Sequence, residues 1–507
     1  MTVTAETHPV LAAVPRLLLI GSEWTCGAGS ATMCVTDPAT ARPIAEVVDA
    51  EAADGRSALA AAVAAAAEWS ATAPRRRSDI LRAAYDLILS RAEDLATLIT
   101  FEMGKPLAEA RGEVSYAAEF FRWFSEEAVR IQGDCTRTPD GMTRTLVIRQ
   151  PVGPCLLITP WNFPLAMGAR KIAPAIAAGC PMILKPAPQT PLSSLALAAI
   201  LQEAGLPSGV LNVVTTSRAG EVTEPLLRSG MIRKLSFTGS TAVGRKLLAQ
   251  CAEAVVRTSM ELGGNAPFIV FADADLDVAV ECAMQAKMRN MGEACTAGNR
   301  FFVDRSVADE FARRLAARMG TLTVGPGYEP ASEVGPLIDG PARDKVAGLV
   351  DDAVARGATV VAGGSAPERP GFFYNPTVLT DVDPASALTS TEIFGPVAAI
   401  RSFGDEDDVV ALANDTSWGL AGYVCTQDID RALDVSERLE VGMVGLNAGI
   451  VSNPSAPFGG IKQSGLGREG GRVGIDEFLE HKLISMPVRP PGRAPANRAG
   501  LARGARA

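Results

Sequence analysis

The stretch "CLLITPWNFPLAMGARKIAPAIAAGCPMILKPAPQTPLSSLALAAI", residues 155–200, decides the fold. Two short apolar runs in it, CLLIT and MILKP, are each followed by an alanine-rich stretch. The runs VLNVV (210–214) and KLSFTGS (234–240) continue the alternation. Strands that alternate with helices of ~10 to 15 residues are typical of right-handed βαβ units. The pattern therefore predicts an α/β fold with a parallel sheet.

The sequence on either side extends this architecture. From about Arg56 to Ile131, apolar residues recur at intervals of three and four, which predicts helices. A second series of strands and helices begins near NAPFIVF (265–271) and runs to about GMVGLN (442–447). We place the boundary between the two series near Leu262 to Asn265. Two further strands are predicted outside both series, at residues 143–150 and 481–488, since these segments have strand-like composition.

Composition and charge exclude several classes of protein. The 507 residues are 47% hydrophobic and 21% charged, with a net charge of −9, as in a soluble globular enzyme. No basic stripe occurs before the last residues, so no nucleic-acid partner is expected. No apolar run approaches the ~20 residues of a membrane span, and the N-terminus lacks the features of a secretory signal. We expect a cytoplasmic protein whose Pro/Gly/Ala/Arg-rich end, 489–507, is a disordered tail.

Cysteine usage indicates one candidate nucleophile. The nine cysteines are scattered without a C-x-x-C motif or a nearby histidine, which argues against a disulfide framework and a zinc site. Cys155, Cys180 and Cys425 lie in apolar runs, as small buried residues do. Cys295 differs, because small and polar residues surround it in MGEACTAGNR (291–300).

A glycine-rich turn is a candidate phosphate site. In FTGSTAVGR (237–245), Gly239 and Gly244 bracket a strand-to-helix turn, where free N–H groups and the helix dipole attract anions. The motif lacks the G-x-G-x-x-G spacing, so an ordinary turn is an equally good interpretation of this stretch alone.

Two polar residues stand at positions suited to catalysis. Glu261 directly precedes two glycines in MELGGN (260–265), where it is either a proton acceptor or a solvated charge. Asn162 lies between two prolines in ITPWNFP (158–164), which restrict the backbone. A rigidly held amide is a good oxyanion donor, although a turn role is equally compatible with the motif.

Taken together, the motifs resemble the aldehyde dehydrogenase superfamily. Their order and spacing match it over roughly residues 17–486, and so does the separation of Glu261 from Cys295. The motifs that carry the resemblance are TPWNFP, LKPA, FTGSTAVG, ELGGNAP, GEAC, EIFGPV and PFGGIKQSG.

The resemblance implies an aldehyde-dehydrogenase-like α/β fold with a parallel-sheet cofactor domain, an α/β catalytic domain and a small β oligomerisation arm. It also implies a homodimer or homotetramer. The implied divisions are 17–138 with 154–263 for the cofactor domain, 264–450 for the catalytic domain, and 139–153 with 451–488 for the arm and C-terminal return.

The resemblance also implies a mechanism. Cys295 is the nucleophile, and its thiolate is reached through a lowered pKa or a water-mediated base. The side chain of Asn162 and the N–H of Cys295 hold the thiohemiacetal oxygen. After hydride transfer to the nicotinamide, Glu261 activates the water that hydrolyses the thioester.

The expected cofactor is NADP or NAD, without a metal. Lys185 matches the residue that binds the adenosine ribose, while Glu392 and Phe394 match those that clasp the nicotinamide end. Pro188 stands where NAD-preferring relatives often have glutamate, so NADP is expected to serve at least as well as NAD. The full set of expected cofactor residues is Trp161, Lys185, Pro188, Gly239, Ser240, Gly244, Leu262, Glu392 and Phe394.

Several stretches resemble the succinate-semialdehyde dehydrogenase branch of the superfamily. Arg170 and Arg289 match the branch's two carboxylate-binding arginines, and Ser452 matches its hydroxyl donor. Two guanidinium groups and a hydroxyl form a receptor for the distal carboxylate of a semialdehyde. A glutarate-semialdehyde or broad aliphatic aldehyde dehydrogenase is the alternative within the family.

Two departures from the family and two remote alternatives complete the expectations. Ala297 replaces a second cysteine of some members, so no disulfide switch is expected, and Glu293 replaces the usual glutamine, which adds a negative charge. A thiol acyltransferase would also use a cysteine but would not need the nicotinamide clasp. A non-catalytic structural relative is disfavoured because Cys295, Glu261 and Asn162 are all present.

Overall fold

Four of the predicted apolar runs are adjacent parallel strands of one sheet, here called the first sheet. The computed structural model describes residues 8–405 and 407–488. The central strands are buried on both faces, which explains their continuous apolar sequences. In spatial order, the eight strands are Glu23–Thr25, Leu18–Ile20, Leu211–Val213, Met182–Lys185, Cys155–Ile158, Lys234–Thr238, Arg257–Glu261 and Gly465–Leu466.

The strand order of the first sheet reverses at its centre. The chain moves outward on one side from Cys155–Ile158, and then returns to place Lys234–Thr238 on the other side of that strand. Ile158 and Phe237 are register partners at this point, near the carboxyl ends of both strands. Open α/β sheets bind their ligands in the crevice that such a reversal creates.

A second sheet follows after a short connection. All of its neighbouring strands run parallel except the antiparallel pair at one edge, Thr359–Ala362 with Thr377–Thr380. In spatial order, the seven strands are Thr359–Ala362, Thr377–Thr380, Val397–Phe403, Gly298–Asp304, Ala266–Val270, Ala421–Cys425 and Met443–Leu446.

The connection at 262–265 joins a strand of the first sheet to a strand of the second. It leaves the first sheet after Glu261 and enters the second at Ala266. The carboxyl end of the strand Arg257–Glu261 is therefore followed closely by the amino end of the strand Ala266–Val270. A Cβ at Gly264 would lie 2.4 Å from the carbonyl oxygen of Cys295, a contact that only glycine avoids. The predicted boundary near Leu262 to Asn265 therefore coincides with the passage between the sheets.

Helices account for most of the remaining structure, and the predicted helical region at 56–131 consists of four of them. Ala166–Ala178, which carries Arg170, is buried along its whole length and ends at Gly179, whose φ of 91° suits glycine. The α-helices are Pro9–Ala13, Ala52–Ala71, Pro74–Ser90, Ala92–Met103, Leu107–Glu127, Ala166–Ala178, Leu192–Glu203, Ala219–Arg228, Thr241–Glu253, Leu276–Met288, Ala308–Gly320, Gly340–Ala355, Ala387–Ser390, Val409–Asn414 and Ile429–Arg438, with 3-10 turns at Ala128–Arg130, Arg289–Gly292 and Arg472–Phe478.

The two strands predicted outside both series are confirmed, and they pair with each other. Thr143–Pro151 and Leu479–Pro487 are antiparallel along their whole lengths, and Asp134–Arg137 adds a third strand. Two short pairs complete the strands, namely Thr32–Asp37 with Arg42–Val48 and Trp418–Gly419 with Ile461–Lys462.

The predicted α/β fold with a parallel sheet is confirmed, whereas the division into domains stays a prediction. Two strands pair with strands that the prediction assigns to a different domain. Asp134–Arg137 joins the three-stranded sheet, and Gly465–Leu466 joins the first sheet. The tail at 489–507 lies outside the described residues. Within the described residues, no helix combines the length and the apolar character that crossing a membrane requires.

Candidate active site

A cavity of about 260 Å³ is lined by residues from the facing edges of the two sheets and from the helices beside them. Twelve of the fifteen predicted site residues line it, although they are far apart in the sequence. They are Trp161, Asn162, Arg170, Gly239, Ser240, Glu261, Leu262, Arg289, Cys295, Glu392, Phe394 and Ser452.

A strained turn presents Cys295 to this cavity. The turn follows the helix Leu276–Met288, and its residues Asn290, Met291 and Gly292 have φ values of 55°, 54° and 77°. A Cβ at Gly292 would lie 2.1 Å from the carbonyl oxygen of Gly395, so glycine is required for this close approach. Non-glycine residues rarely adopt such angles, and strain of this kind is concentrated at functional sites.

The thiol of Cys295 is protonated at neutral pH. Burial raises its pKa to about 12, although the Arg170 guanidinium opposes the shift. The expectation of a lowered pKa is therefore wrong for this structure, since desolvation outweighs the nearby positive charge. Of the two routes to a thiolate considered, only proton transfer to a base remains.

Glu261 has the properties of that base. Its side chain is 2% exposed, and neither carboxylate oxygen has a hydrogen-bond partner among the described residues. Burial and the charge of Glu469 raise its pKa well above the usual 4.5, against the opposing charges of Arg170 and Lys171. The expected upward shift is confirmed in direction, and it makes the carboxylate a stronger base than an exposed glutamate.

The side chain of Asn162 is held by a main-chain carbonyl. Its Nδ2 donates to the carbonyl oxygen of Glu293 at 2.8 Å, which leaves the second hydrogen of the amide free. Burial raises the pKa of Glu293 well above 4.5, and so disfavours the ionised, negatively charged carboxylate that was expected at this position. The remaining amide hydrogen is suited to an oxyanion beside Cys295.

A buried ion pair that the sequence analysis missed fixes the Asn162 segment. Nζ of Lys105 lies 2.6 Å from Glu113 and donates to the carbonyl oxygen of Asn162 at 2.8 Å. Oε1 of Glu113 accepts from the N–H groups of Leu165 and Ala166 at the start of the next helix. A signal was present in the sequence, because Glu113 is a charged residue on the apolar face of a helix.

Arg170 forms a buried ion pair. It is 1% exposed, with Nε 2.5 Å from Oε2 of Glu469 and its guanidinium 4.1 Å from the ring centre of Phe458. Glu469 also pairs with Lys171 at 2.5 Å. Glu469 was not predicted, since it is distant in sequence and nothing in its local sequence distinguishes it.

Arg289 and two hydroxyl groups complete the polar lining of this part of the cavity. The Arg289 guanidinium lies 5.0 Å from the ring centre of Phe163 and 5.8 Å from that of Tyr116. The hydroxyls of Tyr116 and Ser452 share a hydrogen bond. Tyr116 was missed because it lies within a regular helical pattern.

Glu392 and Phe394 are positioned by close contacts. Oε1 of Glu392 accepts from the N–H of Gly264 at 3.1 Å, and burial raises its pKa to about 7 against the charges of Lys345 and Lys287. The ring of Phe394 meets that of Trp161 edge-on, with 5.3 Å between the ring centres.

The glycine-rich turn has the features of an anion site. Ser240 is the N-cap of the helix Thr241–Glu253, whose N-terminus opens at the cavity. The buried hydroxyl of Thr238 lacks a hydrogen-bond partner among the described residues. Gly244 does not line the cavity and instead allows the helix to approach Leu262, since a Cβ there would lie 2.5 Å from the Leu262 side chain. These features fit the phosphates of a dinucleotide.

Lys185 and Pro188 also lie outside the cavity lining. Lys185 ends the strand next to Cys155–Ile158, and burial lowers its pKa to about 8. The described part of the chain contains no carboxylate paired with Lys185, so its charge is open to an external anion. Pro188 borders a second cavity of about 350 Å³, together with Gln189 and Ser217.

Comparisons with known proteins find similarity along most of the chain. The profile of the Aldehyde dehydrogenase family matches residues 24–484. A succinate-semialdehyde dehydrogenase of Paenarthrobacter nicotinovorans is 58% identical over 443 residues, which are 87% of this chain and 98% of the relative. A glutarate-semialdehyde dehydrogenase of Pseudomonas putida is 50% identical over 469 residues, 92% and 97% of the two chains. The crystal structure of an Escherichia coli NADP dependent enzyme has a TM-score of 0.93 and 48% identity, with 95% and 100% of the chains covered.

Proposed function

This chain belongs to the aldehyde dehydrogenase family, and we propose that it oxidises succinate semialdehyde to succinate with NADP or NAD as the oxidant. The observation that carries the proposal is the composition of one cavity. Cys295 and Glu261, which supply the chemistry, share it with Arg170, Arg289 and Ser452, which supply a receptor for a carboxylate. A small aldehyde with an anionic end satisfies both sets of residues.

The anion receptor favours a semialdehyde over a neutral aldehyde. No ion-pair partner of Arg289 occurs in the described ranges, and Nη2 of the buried Arg170 lacks a hydrogen-bond partner there. The Tyr116–Ser452 pair supplies a further hydroxyl donor. A substrate carboxylate would satisfy these donors, whereas a neutral aldehyde would leave them unpaired, which is the basis of strong discrimination.

The first half of the reaction forms a bond between the enzyme and the substrate. Glu261, directly or through a water molecule, accepts the thiol proton of Cys295, and Sγ attacks the aldehyde carbon to give a thiohemiacetal oxyanion. The free amide hydrogen of Asn162 and the N–H of Cys295 stabilise that oxygen. The oxyanion then collapses to a thioester as the carbon loses hydride.

The second half releases the acid. Glu261 first passes the proton that it took from Cys295 to solvent, and then removes a proton from the water that attacks the thioester carbon. The Cys295 thiolate leaves and takes that proton from Glu261, which returns both residues to their resting states. Burial and the charge of Glu469 raise the pKa of Glu261, which makes its carboxylate a stronger base than an exposed glutamate.

A bound nicotinamide dinucleotide supplies the acceptor for the hydride. Ser240 and the N-terminus of its helix would hold the pyrophosphate, Lys185 the adenosine ribose, and Glu392 with Phe394 the nicotinamide end. The Escherichia coli relative is described as NADP dependent, which supports use of NADP. Pro188 supports it as well, since it places no carboxylate near a 2′-phosphate.

Glutarate semialdehyde is the second candidate substrate. The Pseudomonas putida relative named for that activity is 50% identical to this chain. Glutarate semialdehyde carries the same two functional groups with one additional methylene between them, so the same receptor and nucleophile would serve it.

The proposal is tested by comparing kcat/KM for succinate semialdehyde, glutarate semialdehyde and butanal, each with NADP and with NAD. We expect succinate semialdehyde to be preferred, and Cys295→Ala to form no reduced dinucleotide with any aldehyde. Cys251→Ala, at a buried cysteine distant from the cavity lining, is the matched control and retains activity. Preference for butanal would refute the substrate assignment, and an active Cys295→Ala protein would refute the mechanism.

A further inference from the structure

Asn290 connects the segment that carries Asn162 with the segment that carries Cys295. Its Nδ2 donates to the carbonyl oxygen of Asn162 at 3.1 Å and to the carbonyl oxygen of Glu293 at 2.9 Å. The side chain is fully buried, and it contributes no atom to the cavity lining. Asn290 therefore touches both sides of the reaction centre without facing the substrate.

The contacts of Asn290 and Asn162 converge on the same carbonyl group. The carbonyl oxygen of Glu293 accepts from Nδ2 of Asn162 and from Nδ2 of Asn290, which uses both of its lone pairs. The amide of Asn162 is planar, so an N–H fixed on Glu293 also fixes the direction of the other N–H. A shift of the Glu293 carbonyl would consequently turn the free hydrogen of Asn162.

The backbone at Asn290 is strained to make this connection. Its φ of 55° and ψ of 41° place a non-glycine residue in the left-handed region, where asparagine is better tolerated than most residues. Oε2 of Glu109 accepts from the N–H of Asn290 at 2.5 Å and holds the turn from the neighbouring helix. Retention of a costly conformation in a buried turn is typical of positions that serve the reaction.

We propose that Asn290 is a positioning residue that directs the free amide hydrogen of Asn162 toward the thiohemiacetal oxygen by tying the Asn162 and Glu293 carbonyls together. The inference rests on the proposed function, in which Asn162 is the oxyanion donor. Asn290 itself makes no contact with the reacting atoms and acts through Asn162.

Asn290→Gly removes the two side-chain hydrogen bonds to the Asn162 and Glu293 carbonyls without adding backbone strain, because glycine accepts the left-handed conformation at no steric cost. We expect kcat to fall about ten- to a hundredfold, the range for a misplaced catalytic donor. The KM values for aldehyde and dinucleotide and the rate of Cys295 alkylation by iodoacetamide should stay at wild-type levels. Asp381→Gly, at an exposed residue with the same φ of 55°, is the matched control and leaves kcat unchanged.

Asn290→Asp is a second variant that keeps the size of the side chain but offers only acceptors to two carbonyl oxygens. It should lose at least as much kcat as Asn290→Gly. Wild-type kcat in either folded variant overturns the inference, as does a loss confined to KM.

A double-mutant cycle distinguishes this inference from the assignment on which it rests. Asn162→Ala alone should lower kcat, and adding Asn290→Gly should lower it little further, because the two residues act on one hydrogen bond. Losses that multiply would show that Asn290 acts elsewhere, which overturns the inference and leaves the proposed function intact. Wild-type kcat in Asn162→Ala would instead refute the role of Asn162 and the inference together.

Discussion

Oε2 of Glu469 lies 2.5 Å from Nε of Arg170, and both side chains are buried. The charge of Arg170 is therefore matched inside the protein, and what this residue offers a substrate is a directed donor. Arg289 has no ion-pair partner within 4 Å in the part of the chain that the structure describes, and its charge interacts at longer range with the buried carboxyl of Glu109. Two arginines that look equivalent in the sequence thus differ in what they provide.

The first prediction concerns Arg289. Arg289→Met should lower kcat/KM for succinate semialdehyde. The fall should correspond to a loss of about 2 to 3 kcal/mol of transition-state stabilisation, the usual cost of a lost hydrogen-bonded charge pair. Butanal has no carboxylate and should be affected far less. Arg313→Met, at an exposed arginine paired with Glu310, is the control and should change neither value. Equal losses for both aldehydes would indicate a structural role for Arg289.

The second prediction concerns the timing of the two half-reactions. Glu261→Gln should strongly reduce both the burst of reduced dinucleotide in a rapid-mixing experiment and the steady turnover, because glutamine can accept neither the thiol proton of Cys295 nor a proton from the hydrolytic water. A retained burst followed by slow turnover would show that another base activates the thiol of Cys295 and that Glu261 serves only the hydrolysis. Steady-state turnover at the wild-type rate would remove it from the mechanism.

The same carboxylate predicts the acid limb of the pH profile. Glu261 must be ionised to act as a base, and its pKa is raised, so wild-type kcat should rise with pH through a midpoint well above 4.5. Glu261→Gln should lose this limb, which steady-state rates measured across the pH range would reveal.

The third prediction uses Glu293, whose pKa is raised by burial. A raised pKa means that Glu293 holds its proton more tightly in the folded state than in the unfolded state. The free energy of unfolding therefore falls as pH rises above 4.5. Glu293→Gln removes this loss and should add about 1 kcal/mol or more to the free energy of unfolding at pH 9, with a smaller gain at pH 6.

Urea denaturation at the two pH values measures this difference, and Glu329→Gln at an exposed carboxylate is the control. Turnover of Glu293→Gln should stay near wild type, since Asn162 and Asn290 use the main-chain carbonyl of residue 293. A gain that shrinks as pH rises would contradict the argument.

The fourth prediction concerns the choice of cofactor. Wild-type enzyme should use NADP at least as well as NAD, because no carboxylate at position 188 opposes a 2′-phosphate and Lys185 is free to attract one. Pro188→Glu should weaken NADP use selectively, by about 1 to 3 kcal/mol in kcat/KM. Ala366→Glu adds the same charge at an exposed site and should have no such effect. A wild-type enzyme that is strongly specific for NAD would refute this interpretation of Pro188.

The fifth prediction concerns assembly. The strand Leu479–Pro487 lies at an edge of the three-stranded sheet and exposes Leu483, Ile484 and Met486, a surface suited to pairing with another copy. Light scattering should give the mass of a homodimer or homotetramer. Leu483→Glu should reduce that mass, whereas Val255→Glu, at an isolated exposed residue, should not. A wild-type monomer at micromolar concentration would contradict the prediction.

Short-range patterns allowed much of the fold and the chemistry to be predicted. The runs at 155–159, 182–186 and 234–240 became parallel strands because continuous apolar sequence of that length is stable only when both faces are covered. Cys295 was singled out because small and polar residues surround it, whereas Glu261 was assigned only when the motifs were taken together and compared with the family.

Other features depended on distances across the fold. The elevated pKa of Cys295 reflects burial, which no local motif encodes. It contradicts the expectation that a lowered pKa produces the thiolate. Three residues that the sequence analysis missed reach the site from separate parts of the chain. Their roles emerged only from contacts across the fold, namely Lys105 with Asn162, Tyr116 with Ser452, and Glu469 with Arg170.

By itself, the sequence determined the order of strands and helices, which follows from periodicity, and its motifs predicted the nucleophile and the acid–base residue through their resemblance to a family. Only the tertiary structure decided which charges are paired, which protons are held, and how the Asn162 amide is aimed. Those properties arise from desolvation and from hydrogen bonds between residues such as Asn290 and Asn162, which are 128 positions apart in the chain. Electrostatics and hydrogen-bond geometry act through space, and they are set when the two sheets meet at residues 262–265.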